Sequence, residues 1–330
     1  MRVLFIGGTG IISSACSALA VERGLDLYLL NRGETTKRPA PAGATLLKAD
    51  VSDRESVRKV LGDRTFDAVV NFIAFTPDQI QADIDTFTGR TGQYVFISST
   101  TVYRRPPTML PITESVLREN RYWPYAENKI ACENRLIAAY RDDRFPMTIV
   151  RPSHTYDKTL LPFWYGYTVV NRMRQGKPVI VHGDGTSLWT MTHHSDLAKG
   201  LIGLLGNPQA IGEAFHITAD EVLTWDQITN IVADAAGTTA DIVHIPSDLL
   251  NAHNAEWGEA LIGDKTHSFI FDNSKIKRIV PDFVATVPFA TGAREVMAWY
   301  DADPARQTVD AEIDALMDRI IADYRSIWPK

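Results

Sequence analysis

The stretch RVLFIGGTGIISSACSALAVERG, residues 2–24, decides the fold of this chain. It contains an apolar run, a glycine cluster and a helical pattern in immediate succession. Gly7 and Gly10 allow a sharp reversal and a close approach of backbone amides, and the positive end of the following helix faces the turn. This order is typical of a site for the pyrophosphate of a dinucleotide. The alternative is a turn with a purely structural role.

Ser13 stands at the third position of this turn, where a glycine commonly lies. Serine is small enough to keep the helix close to the strand, with a little more separation. The residues of the turn that we predict to contact a dinucleotide are Gly7, Thr9, Gly10, Ile11 and Ile12.

The residues up to about position 150 alternate short β-rich runs with amphipathic segments. Apolar strands separated by helices predict an α/β fold, a doubly wound parallel Rossmann sheet covered by helices on both faces. The predicted strands are residues 2–6, 26–31, 45–48, 68–72, 93–98 and 148–151. The predicted helices are residues 13–23, 54–62, 76–88 and 125–142.

Beyond Arg151 the sequence becomes rich in proline and aromatic residues. We expect residues 1–152 to form the dinucleotide-binding domain, to which later segments return, and residues 153–330 to form mainly a smaller α/β substrate lobe. In this lobe Thr224 and Gln227 predict a capping box, and Gly237 a helix C-cap. A stripe of apolar residues predicts a packed terminal helix over residues 309–327.

Composition excludes several classes of protein. The 330 residues are 45% hydrophobic and 22% charged with a net charge of −6, so nucleic acid and anionic membranes are poor partners. Two cysteines, Cys16 and Cys132, cannot make a disulfide framework, which suits a reducing compartment. We find no run of about 18 apolar residues and no secretory apolar segment, and therefore expect a cytoplasmic protein. The protein could also form a homodimer.

The end of the second strand bears on the choice of cofactor. Asn31 and Arg32 lie where an NAD-selective site carries a carboxylate, so Arg32 predicts a 2′-phosphate contact and NADP in preference to NAD. A solvated loop arginine is the alternative. Asp50, with Val51, ends the third strand and could accept a hydrogen bond from adenine, or Asp50 or Ser52 could cap the next helix.

Tyr125 and Lys129 are four residues apart in a predicted helix, so both side chains lie on one face. A phenol and an ammonium at this spacing could address the same small molecule. Chance alone produces such pairs, and the pair by itself favours two neighbours on a solvated helix.

Eight segments change that interpretation. Taken together, they make the chain resemble the epimerase/dehydratase group of the extended short-chain dehydrogenase/reductase family. They occur in family order: GGTGII (7–12), ADVSD (49–53), NFIAF (71–75), ISSTTVY (97–103), YAENK (125–129), VRPS (150–153), HGDGTSLWTMTHHSDLA (182–198) and GAREVMAWY (292–300). The resemblance implies an NAD(P)-dependent oxidoreductase or epimerase that transfers hydride at a secondary alcohol or ketone.

The resemblance also implies roles for individual residues. Tyr125 is the expected acid/base, Lys129 stabilises its anion and binds the nicotinamide ribose, and Ser99 binds the substrate oxygen, with Ser98 as the local competitor. Further cofactor contacts are expected at Ala74, Pro152 and Ser153.

Two departures from the family pattern concern the substrate. Thr100 and Thr101 replace the Asp-Glu pair of family dehydratases, which disfavours dehydration. Trp189 and Thr190 replace an Arg-Asp pair whose arginine binds a nucleotide-sugar diphosphate. We therefore expect a small uncharged polyol, free sugar or ketone, contacted by Thr100, Tyr103 and Trp189. Trp189 could instead fill the lobe interface, and Arg172 or Arg174 could supply a replacement charge.

His193 and His194 invite a metal interpretation, but neighbours in an extended segment point apart and no acidic or cysteine cluster accompanies them. We predict no metal, and Asp196 as a helix N-cap. Two other functions remain open: a cofactor-binding sensor without activity, and a non-catalytic or RNA-binding relative, because parts of the chain resemble a chloroplast stem-loop RNA-binding branch. The intact Ser99, Tyr125 and Lys129 set argues against the latter.

Overall fold

A computed structural model describes residues 1–34 and 37–327. Within them lie thirteen strands: β1 (Arg2–Ile6), β2 (Asp26–Asn31), β3 (Thr45–Lys48), β4 (Ala68–Asn71), β5 (Tyr94–Ile97), β6 (Met147–Pro152), β7 (His154–Tyr156), β8 (Val179–His182), β9 (Leu188–Trp189), β10 (Met191–His193), β11 (Ala214–Ile217), β12 (Leu223–Thr224) and β13 (Ile242–Ile245).

The same residues form twelve α-helices: α1 (Ile11–Glu22), α2 (Arg54–Leu61), α3 (Pro77–Phe87), α4 (Pro124–Asp143), α5 (Tyr167–Arg174), α6 (His194–Leu204), α7 (Trp225–Ala235), α8 (Ser247–His253), α9 (Ala255–Ala260), α10 (Ser274–Ile279), α11 (Phe289–Asp301) and α12 (Ala311–Ser326). A π-helical turn, Leu261–Lys265, follows α9.

Seven parallel strands form the central sheet in the order β11-β6-β5-β4-β1-β2-β3. Both faces are buried because alternate residues of each strand pack on opposite layers of helices. In β1, Val3 and Phe5 pack in the core that contains α1 and α6, whereas Leu4 and Ile6 pack in the core that contains α2, α3 and α4. The predicted doubly wound parallel sheet is confirmed.

Outside the central sheet lie three two-stranded pairs: β7 with β10, β8 with β13, and β9 with β12. A separate hydrophobic cluster includes the aromatic side chains of Trp189, Trp225 and Phe269. Helix α12 closes a further cluster with Met317, Ile320 and Ile321, so the predicted terminal packing stripe is confirmed.

Several local signals in the sequence can be compared with the structure. Helix α1 begins at Ile11, two residues earlier than predicted, and the capping box of Thr224 and Gln227 is confirmed. Gly237 lies one residue beyond the C-cap of α7, with a positive φ of 70°. Within residues 1–34 and 37–327 no helix is long and apolar enough to span a bilayer.

The predicted N-cap at Asp196 is wrong. His193 occupies that position, and its side chain accepts from the Ser195 amide. Asp196 lies inside the first turn, where its buried carboxylate accepts from Lys199 Nζ at 2.6 Å and from the Thr286 amide at 3.0 Å. The acidic side chain is therefore used to connect α6 to a distant loop.

Candidate active site

The glycine turn after β1 is shaped for close approach. Gly7 has a φ of +84°, and a Cβ at this position would lie 2.6 Å from Ile73 Cγ2, so a side chain is excluded on both grounds. The Ser13 hydroxyl donates to the Gly7 carbonyl oxygen at 2.6 Å and accepts from the Gly10 amide at 2.7 Å. The sequence predicted only that Ser13 is small enough for the turn; the two hydrogen bonds of its hydroxyl across the turn were not predicted.

A cleft of about 260 Å³, which we call the cofactor cleft, lies between the glycine turn and α4. Its walls include the first turn of α1 and apolar side chains at the ends of neighbouring strands, an arrangement that fits a dinucleotide. Its lining residues are Gly7, Gly10, Ile11, Ile12, Ser13, Phe72, Ile73, Phe75, Ile97, Ser98, Ser99, Tyr125, Lys129, Pro152 and Ser153. Of the turn residues predicted to bind cofactor, Thr9 is outside this set.

The end of β2 carries polar groups available to a ribose. Asn31 Oδ1 is buried and has no hydrogen-bond partner among the described residues. Arg32 is exposed, and its Nε is 3.5 Å from a carboxylate oxygen of Glu34. The Glu34 carboxylate therefore neighbours the guanidinium that is expected to bind a 2′-phosphate.

Asp50 follows β3 and is fixed by a local turn. Its carboxylate accepts from the Ser52 amide at 2.9 Å and the Ser52 hydroxyl at 2.7 Å, which holds its pKa below the usual value. Asp53 caps α2, so the alternative that Asp50 or Ser52 serves as the cap is wrong. Val51 and Ala74 line a neighbouring depression of about 240 Å³.

Lys129 is almost completely buried on α4. Its Nζ donates to the carbonyl oxygens of Ala74 at 2.8 Å and Ile97 at 2.9 Å, and lies 5.8 Å from the ring centroid of Tyr125. Burial lowers the Lys129 pKa to about 8. The pair therefore lies at the cofactor cleft and not on a solvated helical face.

Tyr125 occupies the first turn of α4, which begins with Pro124, whose missing N–H is tolerated at that position. Burial raises the Tyr125 pKa to about 12, while a hydrogen bond with Ser99 acts in the opposite direction. The phenol is consequently protonated at neutral pH.

The structure distinguishes the two candidate serines. Ser98 Oγ donates to Glu133 Oε1 at 2.6 Å inside the protein, where Arg151 also binds this carboxylate. Ser99 instead contacts Tyr125 and lines both the cofactor cleft and a second cavity.

This second cavity has a volume of about 380 Å³ and joins the cofactor cleft at Ser99, Tyr125 and Ser153. We call it the substrate cavity. Its aromatic lining comprises Trp123, Tyr125, Phe163, Trp164, Tyr165, Trp189, Trp225 and Trp257. Its most polar lining residues are Thr101, His154, His182, Thr229, Asp264 and Lys265.

Two of the three residues predicted to contact the substrate line the substrate cavity, and the third does not. Thr100 and Trp189 line the substrate cavity. Tyr103 does not: it is buried in the core, where its hydroxyl accepts from Arg151 at 2.8 Å and pairs with His216 at 2.5 Å. This corrects the expectation for Tyr103, because a hydroxyl held by two interior groups is not presented to a ligand.

Arg172 and Arg174 do not replace the family arginine. Arg172 is buried and forms ion pairs with Asp314 at 2.6 Å and Asp318 at 2.7 Å, while Arg174 pairs with Asp301 at 2.7 Å. Neither lines the substrate cavity. The expectation of a replacement charge from this helix is therefore wrong.

Two charged residues that the sequence did not single out, Asp264 and Lys265, line the cavity. Asp264 accepts from Arg105 at 3.2 Å and from Lys265 at 2.8 Å. Arg105 precedes Asp264 by 159 residues, so no local pattern could have identified the pair. The ion pair connects the loop after β5 to the π-helical turn at the cavity wall.

His193 ends β10 and His194 begins α6. Within the described ranges 1–34 and 37–327, no group of three or more His, Cys, Asp or Glu side chains could hold a metal ion.

Comparison with known proteins identifies the class. The family model for the NAD dependent epimerase/dehydratase family matches residues 3–91 and 87–218. The chain therefore belongs to this family, and it is an NAD(P)-dependent enzyme of the short-chain dehydrogenase/reductase type.

Among curated relatives, 2'-dehydrokanamycin reductase of Streptomyces kanamyceticus is 24% identical over 298 residues, covering 86% of this chain and 80% of the relative. Chloroplast stem-loop binding protein of 41 kDa b from Arabidopsis thaliana is 24% identical over 259 residues, covering 74% of this chain and 65% of that protein.

Solved structures show the same fold. The epimerase Mth375 of Methanothermobacter thermautotrophicus has a TM-score of 0.76 at 18% identity, covering 93% of this chain and 94% of that one. A UDP-glucuronic acid 4-epimerase of Bacillus cereus, solved with UDP-glucuronic acid and NAD, has a TM-score of 0.74 at 17% identity. The match covers 92% of this chain and 99% of that one.

Proposed function

We propose that this enzyme transfers hydride between a nicotinamide cofactor and a secondary alcohol or ketone, with Tyr125 as the acid/base. The observation that carries this proposal is the position of Tyr125. Tyr125 and Ser99 together line the junction at which the cofactor cleft meets the substrate cavity, and Ser99 interacts with the phenol. A proton donor is needed at that junction, because the substrate carbon must face the cofactor while its oxygen exchanges a proton.

Each residue of the set has a distinct task in this proposal. Tyr125 donates its proton to the oxygen of a ketone, and its raised pKa keeps the proton in place at neutral pH. Ser99 donates a hydrogen bond to the same oxygen and so stabilises the charge that develops there. Lys129 uses two of its hydrogens on Ala74 and Ile97, which leaves the third for a ribose hydroxyl.

The cofactor site is built from this chain's own groups. Ile11 and Ile12 line the cleft in the first turn of α1, where helix amides without an intrahelical partner favour an anion such as a pyrophosphate. NAD or NADP supplies or accepts the hydride when bound. We propose a preference for NADP because Arg32 is exposed at the end of β2 and can pair with a 2′-phosphate.

The alternative of an RNA-binding protein is less well supported. A likeness to a chloroplast stem-loop binding protein motivates it, but the chain carries a net charge of −6, which repels a phosphate backbone. The set of Ser99, Tyr125 and Lys129 at the cofactor cleft also has no task in that function. Free buried Cys16 and Cys132 fit the cytoplasmic location that we propose for the enzyme.

Replacement of Tyr125 by Phe tests the proposed reaction. We expect turnover of ketones and sugars, followed by nicotinamide absorbance, to fall by about 10²- to 10⁴-fold, while cofactor affinity is nearly unchanged. Tyr122→Phe is the matched control, since Tyr122 is exposed and lines neither cavity. Retained turnover in the Tyr125 variant, or equal losses in both variants, contradicts the proposal.

A further inference from the structure

We propose that the substrate cavity binds an uncharged, hydroxyl-bearing ring, such as that of a sugar or cyclic polyol, through Thr101, His154, Trp189 and Trp225. This substrate class rests on the proposed function, since it assumes that the ring is presented to Tyr125. None of these four residues except Trp189 was singled out as a ligand contact by the sequence.

The four residues share one property. Each lines the substrate cavity, and each has a buried side-chain atom without a hydrogen-bond partner among the described residues: Thr101 Oγ1, His154 Nε2, Trp189 Nε1 and Trp225 Nε1. Buried polar atoms in folded proteins are ordinarily paired. Four unpaired atoms around one cavity indicate a ligand that supplies the missing partners.

The chemistry of these atoms defines the ligand. An indole N–H is only a donor, so Trp189 and Trp225 each require an acceptor oxygen. A hydroxyl and a neutral imidazole can each donate or accept, and burial lowers the pKa of His154 to about 4, which keeps it neutral at pH 7. Hydroxyl groups, which donate and accept at once, match this combination of partners.

The walls of the cavity suit the faces of a ring. Trp189 is 1% exposed, and its ring centroid lies 6.3 Å from that of Trp225 and 6.0 Å from that of Phe269. Trp164 also lines the cavity and is 42% exposed, so its ring contributes both to the cavity wall and to the protein surface. Flat apolar faces beside a few fixed polar atoms bind a molecule whose own surface is apolar on its faces and polar at its rim.

Charge argues against ionic ligands. The charged side chains that line the cavity in the described residues are Asp264 and Lys265, and they neutralise each other at 2.8 Å. Arg105 adds a second partner to Asp264. A diphosphate requires several unpaired donors with positive charge, and an amino sugar requires a free carboxylate. The cavity offers neither, so nucleotide-sugars and amino sugars are not its preferred ligands.

Binding to the cofactor-saturated enzyme tests this inference by calorimetry and thermal shift. The neutral probes are methyl α-D-glucopyranoside, methyl β-D-galactopyranoside and myo-inositol; the charged probes are UDP-glucose, dTDP-glucose and glucosamine. We expect at least one neutral probe to bind more tightly than every charged probe. Failure of all neutral probes to bind, or tighter binding of a charged probe, overturns the inference.

Variants identify the contacts. Trp189→Phe and Trp225→Phe keep an aromatic wall and remove one donor, so each should weaken the neutral probe by about three- to tenfold. Thr101→Val is a nearly isosteric third variant if a tryptophan variant fails to fold. Trp299→Phe, which is outside the cavity lining and stacked with Arg306, should leave binding unchanged. Unchanged binding in all folded cavity variants overturns the assignment.

The test separates this inference from the proposed reaction. If the reaction is wrong, the neutral probe still binds and depends on Trp189 and Trp225, but Tyr125→Phe does not reduce turnover. If the substrate class is wrong, binding is insensitive to these tryptophans while turnover of some other substrate still depends on Tyr125.

Discussion

The ammonium nitrogen of Lys129 lies 2.8 Å from the carbonyl oxygen of Ala74. Ala74 follows β4, and Lys129 belongs to α4, so this hydrogen bond connects α4 to the carboxyl edge of the sheet. A second bond to the Ile97 carbonyl at 2.9 Å completes the anchor beyond β5. The lysine is thus fixed at the cleft by the fold itself, before any ligand binds.

Replacement of Lys129 by Met should therefore have three effects. Cofactor affinity and turnover should both fall, because the ribose loses its donor and Tyr125 loses a nearby cation. The free energy of unfolding should fall by about 1–3 kcal/mol, since two buried carbonyl groups lose their partner. Cofactor titration, nicotinamide absorbance and urea unfolding measure these quantities. Arg141→Met, on the exposed end of α4, is the control; unchanged cofactor affinity in the Lys129 variant would leave the lysine an electrostatic role only.

Ser99 and Ser98 provide a matched pair of adjacent substitutions. Ser99→Ala should reduce turnover by about 10²-fold or more, because a donor to the reacting oxygen is lost. Its cost in stability should be about 0.5–1.5 kcal/mol, since the Thr101 amide loses its 3.2 Å bond to Ser99 Oγ. Ser98→Ala should instead reduce the free energy of unfolding by about 1–3 kcal/mol, since Glu133 is buried and loses a bond of 2.6 Å. The reverse pattern, with turnover sensitive to Ser98 and not to Ser99, would show that the roles are exchanged.

The fold could be predicted from the sequence because its signals are local. The glycine turn, the helix starts and the apolar strands each depend on neighbouring residues, and β1, β2 and β3 have the predicted bounds. The roles expected for Tyr125 and Lys129 came from the family resemblance, because their spacing fixes a common face but by itself favours two neighbours on a solvated helix. The substrate cavity could not be predicted, because its walls combine Thr101, His154 and Trp225 from distant parts of the chain and no local pattern connects these residues.

The same limit explains the error at Tyr103. It lies at the end of a family segment that also contains Ser99, so proximity in sequence suggested proximity to the substrate. A 3₁₀ turn, Thr100–Val102, intervenes and places Tyr103 in the core, where it meets Arg151 and His216. The motif correctly indicated that this segment lies beside the substrate cavity, but it did not indicate which of its side chains point into the cavity.

Cofactor preference can be tested at Arg32 and its neighbour. Arg32→Ala should weaken NADP(H) binding by at least about tenfold and leave NAD⁺ affinity nearly unchanged, because only the 2′-phosphate contact is lost. Glu34→Gln should strengthen NADP(H) binding, since it removes the carboxylate 3.5 Å from the guanidinium. Fluorescence titration of the wild type and both variants with each of the two cofactors gives the six affinities. Equal or tighter NAD⁺ binding by the wild type, or no effect of Arg32→Ala, would show that Arg32 is a surface residue.

His154 should make the protein sensitive to acid. Burial, with a smaller contribution from Lys265, lowers its pKa to about 4, whereas an unfolded histidine titrates near 6.5. Between these values the unfolded chain binds a proton that the folded chain does not, so the free energy of unfolding falls as the pH falls from about 6.5 to about 4. His154→Gln removes this proton uptake. Urea unfolding at several pH values should show a wild-type minus variant difference that decreases on acidification by at most about 1.4 kcal/mol per pH unit. Above pH 7 the difference should be constant, and a difference that stays constant down to pH 4 would show that His154 is not held neutral in the cavity wall.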